Sequence, residues 1–138
     1  MDGYTHYRNH FTNKHGQLQV LAATDDTTLI TPKTTSHQIF LQKLYISITT
    51  YAAQTWTFQD STGTPVPNGL ISIPGAAVAL NSESSTIVID FGPEGYAIPV
   101  GKNLVLNVSA AGAAGVIVWD AYEKLGAVIN YLSGASNQ

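Results

Sequence analysis

From Gln17 to Tyr122 the apolar residues return at every second position, in short runs. No segment carries a sustained period of three to four. A strand shows one face every second residue and a helix every third or fourth, so this pattern confines the chain to an all-β fold. The clearest pair of runs lies between Asn103 and Tyr122. Leu104, Leu106 and Val108 alternate with Val105, Asn107 and Ser109, then Ser-Ala-Ala-Gly-Ala-Ala-Gly breaks the alternation. Val116 to Trp119 resumes it with β-branched and aromatic residues, which suit a pleated, half-buried surface. So short a connection predicts an antiparallel hairpin, because parallel strands need a crossover of about a dozen residues.

The rest of the chain reads in the same way. Strands are expected at 17–23, 27–31, 39–50, 54–60, 70–73, 76–80, 86–91 and 96–99, with a last one at 127–132. In 39–50 the predicted inward face is Phe40, Leu44, Ile46 and Ile48, with Gln42 as its exception; in 86–91 it is Ile87, Ile89 and Phe91. Asp60-Ser61-Thr62-Gly63 and Gly92-Pro93-Glu94-Gly95 carry turn chemistry. Glu123-Lys124-Leu125-Gly126 also reads as a turn. Pro65 and Pro67 point to a sheet edge or a loop. Short strands separated by turns every 8–12 residues predict an antiparallel β-sandwich or a barrel.

The 138 residues make one domain by size. Residues 1–16 are polar and aromatic without a period, and are expected to form an extended N-terminal arm. Residues 17–126 form the sandwich, and 127–138 a C-terminal strand and tail. The arm is too rich in aromatics for a purely disordered tail. It has no apolar stretch of the signal-peptide kind.

Charge is scarce. Only 11% of residues are charged, against about 25% in ordinary soluble domains. Thr, Ser, Asn, Gln, Ala and Gly take the place of charge, and such a surface gives up water at a lower cost in contacts with other subunits. A net charge of −3 offers no footprint for nucleic acid. No apolar run is long enough for a membrane helix. The absence of cysteine excludes disulfides and thiolate metal sites.

Candidate sites are few. His6 and His10 have the i, i+4 spacing of zinc ligands on a helix, but their neighbours Asn9, Thr12, Asn13 and Gly16 form helices poorly. Asp25-Asp26 and Asp60 with Gly63 lack the acidic density of calcium loops. Asp90 with Glu94, and Asp120 with Glu123, are read as strand-end and turn residues, not as a carboxylate pair across a cleft. No nucleophile elbow, phosphate loop or nucleotide fingerprint occurs. The expectation is therefore no enzyme, no cofactor and no metal. Trp56 and Trp119 sit in apolar strands and are expected in the core. Tyr4, Tyr7, Tyr45, Tyr51 and Tyr122 are surface candidates on which a glycan could stack. Tyr4, Tyr7, Arg8, His10, Phe11 and Tyr131 are the candidate contacts to a protein partner.

The segment Ile87 to Gly126 resembles a kind of small β-protein found in the structural modules of tailed bacteriophages. The likeness lies in Gly92-Pro93 after a strand, then Gly101, Leu104, Leu106 and Ser109 to Gly112 as G-x-x-L-x-L-x-x-S-A-A-G, then the aromatic strand Val116 to Tyr122. It covers about a third of the chain. The nearest such family is the jelly-roll capsid cement, or decoration, proteins of double-stranded DNA phages. The resemblance implies a virion structural protein made in the host cytoplasm and seated on the outer capsid surface. Its partners would be the major capsid protein and further copies of itself, a dimer before a trimer. It implies no catalytic residue. A head-fibre or tail receptor-binding module, or a carbohydrate-binding sandwich, is the alternative.

Overall fold

The computed structural model describes residues 11–23, 25–76 and 86–126. Ten strands follow in order: β1 (Phe11–Asn13), β2 (Gly16–Val20), β3 (Thr27–Ile30), β4 (His37–Thr50), β5 (Gln54–Asp60), β6 (Pro65–Ile73), β7 (Thr86–Asp90), β8 (Tyr96–Ala97), β9 (Leu104–Val108) and β10 (Ala114–Leu125). Among the described residues there is no helical element.

Two antiparallel sheets face each other. The larger runs β1/β2-β10-β4-β7, with β8 paired to the far part of β4; the smaller runs β3-β9-β5-β6. β1 and β2 are one line in register. Phe11 to Asn13 pair with Lys124 to Tyr122, Gly16 to Val20 pair with Trp119 to Gly115, and the Lys14 N–H donates to Ala121 O at 2.8 Å between them. Counted so, the first strand pairs with the last, β3 with β9, β4 with β7 and β5 with β6. A long antiparallel ribbon rolled on itself gives this order, which is that of a jelly roll.

Three sequence expectations need correction. Leu104–Val108 and Val116–Trp119 do not form a hairpin, since β9 pairs with β3 and β5 while β10 pairs with β1, β2 and β4. The Ser109–Ala113 link crosses from one sheet to the other. Its Gly112 has φ 120°, a conformation L side chains rarely adopt. The segment 11–16 does not stand apart from the sandwich, because β1 and the start of β2 belong to its larger sheet. Glu123 and Lys124 are not in a turn either; β10 continues through them to Leu125.

A further correction concerns β4. Asp120 faces Lys43 but Ala121 faces Leu41, so Gln42 is an extra residue, a β-bulge. The bulge switches which side faces in: Ile39 and Leu41 are buried before it, Leu44, Ile46 and Ile48 after it. Phe40, expected inside, therefore lies on the outer face. A second extra residue, Thr49, sits opposite the Ala114–Gly115 step.

The core lies between the sheets. Ile39, Leu41, Leu44, Ile46 and Ile117 from the larger sheet meet Trp56, Phe58, Leu104 and Leu106 from the smaller, all fully buried. Each such side chain contributes about 1.5–3 kcal/mol by leaving water. Trp119 is also in the core, and its ring covers Gly16; a Cβ at Gly16 would come 2.5 Å from the indole. The indole N–H of Trp56 donates to Gln54 Oε1 at 2.8 Å, which satisfies the one polar atom of that ring. The prolines of β6 fall on an edge strand, as their chemistry requires. The predicted strand at 76–80 lies outside the described residues beyond Ala76, as does the one at 127–132.

Candidate functional site

The outer face of the larger sheet carries aromatic, charged and uncharged side chains. The register sorts them into cross-strand rows. At one end Asn13, Tyr122, Phe40 and Ala97 lie side by side. The Phe40 and Tyr122 rings stack with centroids 5.0 Å apart and planes 8° apart, and the Lys124 Nζ sits 4.8 Å over the Phe40 ring. The Tyr122 hydroxyl donates to Glu94 O at 2.7 Å. Burial first, and then the Glu94 carboxylate, push its pKa up, which keeps it a neutral donor.

The second row is charged: His15, Asp120, Lys43, Asp90. Lys43 faces Asp120 on one side and Asp90 on the other, and His15 extends the row across β10. The contacts along it are long. Lys43 Nζ is 4.0 Å from Asp90 Oδ2, and His15 Nδ1 is 3.5 Å from Asp120 Oδ1. That imidazole nitrogen accepts the Ala121 N–H at 3.3 Å. A ring nitrogen that accepts carries no proton, so the neutral ring holds its proton on Nε2 and makes no ion pair with Asp120 through Nδ1. These four residues line an open groove of about 420 Å³, with Gln42, Gly92 and Pro93 as the remaining wall. Asp90 and Asp120, read from the sequence as unrelated turn and strand-end acids, thus share one groove.

The last two rows are uncharged: Gln17, Val118, Tyr45 and Val88, then Gln19, Val116, Ser47 and Thr86. Val88 is 54% exposed. Ser47 and Thr86 hydroxyls meet at 3.0 Å.

On the inner side, Glu123 is 1% exposed and ties two segments to β10. Its Oε1 accepts the Lys33 N–H at 3.0 Å, and its Oε2 lies 3.6 Å from Lys14 Nζ. Glu123 is thus a brace of the fold.

Of the expected contact residues, Phe11 has its backbone in β1, while Tyr4, Tyr7, Arg8, His10 and Tyr131 lie outside the described residues, as does the His6–His10 pair. Of the other tyrosines, Tyr45 and Tyr122 reach the outer face. Tyr51 packs against the core. Asp60 caps its own turn, and Asp26 accepts from Asn107 Nδ2 and the Val108 N–H to hold the 25–26 loop against β9. Sequence reading missed the charged row, because its members come from four distant parts of the chain. No protein-family model matches this sequence, and no curated protein matches it.

Proposed function

We propose that this chain is a non-catalytic structural subunit, a capsid decoration protein of a tailed phage, which attaches to the outer surface of the shell and braces neighbouring major capsid subunits. Its partners in this reading are the major capsid protein and further copies of itself, a dimer before a trimer. The observation that carries the reading is the pair of uncharged rows across four strands of the larger sheet. Interface centres are poor in charge, and here Val116, Val118, Tyr45 and Val88 stand among amides and hydroxyls. A jelly roll holds such a face rigid, so little ordering cost is added on docking. The likeness of residues 87–126 to phage structural proteins supports the same reading. Each attachment can be weak, since many copies on one lattice, each with more than one contact, add avidity.

Purified protein mixed with expanded capsids that lack it tests the proposal. The wild-type chain should sediment with the shells and saturate. Val88→Glu places a charge in the middle of the uncharged face at an exposed position. It should leave thermal stability within about 0.5 kcal/mol and weaken sedimentation with the shells at least about tenfold. A wild-type chain that stays in the supernatant would overturn the proposal, and equal binding by the variant would remove this face from it.

A further inference from the structure

We propose that the groove beneath the 92–95 turn is a binding site for a neutral saccharide, independent of any attachment to a capsid. Its wall is built. The Gly92 N–H donates to Asp90 Oδ1 at 2.8 Å, the Gly95 N–H to Gly92 O at 3.1 Å, Gln42 Nε2 to Pro93 O at 2.7 Å, and Tyr122 Oη to Glu94 O at 2.7 Å. The Gln42 bulge supplies one of these props, as bulges commonly re-aim a side chain at a site. The volume of about 420 Å³ lies within the range of small-molecule sites, about 300–1,000 Å³.

The chemistry of the lining selects the ligand class. Asp120 and Asp90 accept; the Lys43 ammonium and the His15 Nε2–H donate. Their mutual contacts, at 3.5 and 4.0 Å, are longer than the 2.7–2.9 Å or so of a charge-assisted hydrogen bond. Much of their bonding capacity therefore faces the groove. An anion would meet two carboxylates, and a cation would meet Lys43. A sugar hydroxyl donates and accepts at once, so a row of alternating acceptors and donors suits vicinal hydroxyls. Tyr45, in the next row, does not line the groove; its hydroxyl stands 3.5 Å from Asp120 Oδ2.

The test is a titration of the full chain, labelled with ¹⁵N, against glucose, galactose, mannose and their N-acetylhexosamines, followed by amide shifts. The expected result is a saturating shift for at least one sugar, centred on His15, Lys43, Asp90, Gly92 and Asp120. Asp120→Ala should weaken that sugar about tenfold or more with no change of melting temperature, and Asp90→Asn gives a second reading should the first variant misfold. Shifts from inorganic phosphate and not from sugars, shifts centred elsewhere, or no shift with sugar up to about 50 mM would each overturn the proposal.

Discussion

At the scale of the residue, buried polar groups show how the chain spends its few charges. Asp60, 4% exposed, ends β5 and folds its carboxylate back onto its own turn. Oδ1 accepts from the Thr62 N–H at 2.8 Å, the Thr64 N–H at 3.1 Å and the Thr62 hydroxyl. Burial alone would raise the carboxyl's pKa; the Thr62 hydroxyl and the amides of Thr64, Thr62 and Gly63 outweigh it and hold the group below its usual value. A carboxyl depressed in the fold stabilises it fully above the unfolded value of about 3.9, and that contribution is lost as pH falls through the lower folded value. Asp60→Asn should therefore lower Tm at neutral pH, and the difference from wild type should shrink as the solution is acidified. Melting curves between about pH 2 and 7 check this; a constant difference across that range would contradict it. This turn was legible in the sequence, because Asp-Ser-Thr-Gly encodes its own local bonds.

At the scale of the element, β10 organises the molecule. It pairs on one side with β1 and β2 and on the other with twelve residues' worth of β4 register. Glu123 fastens the first strand to it through Lys14, and the loop before β4 through the Lys33 amide. Removing a buried charge that serves two segments is costly, so Glu123→Ala should destabilise the fold by about 2–4 kcal/mol. Amide exchange should accelerate first at Thr12 to Lys14. Unchanged exchange there would mean that the β1 ladder holds without this brace. The same element shows where sequence reading stops. Alternation marked Leu104–Val108 and Val116–Trp119 as strands, but two runs of equal period can lie in one sheet or in two facing sheets. The loop between them permits either. In β4 the apolar parity changes between Leu41 and Leu44, which is the mark of a bulge; a single unbroken period put Phe40 on the wrong side.

At the scale of the whole molecule, the jelly roll brings residues 15, 43, 90 and 120 into one row and leaves uncharged rows beyond it. Low charge was visible in the composition. Which residues share a face depends on register between strands far apart in the chain, and no local spacing records that. Uncharged rows and a polar groove thus share the outer face of one sheet. The proposed capsid role requires many copies of this chain on one shell. It is checked by the copy number of this chain in purified phage particles, measured by quantitative mass spectrometry against the major capsid protein. One copy per capsid subunit, or a simple fraction of that number, is the expected result. A handful of copies per particle, or none, would contradict it.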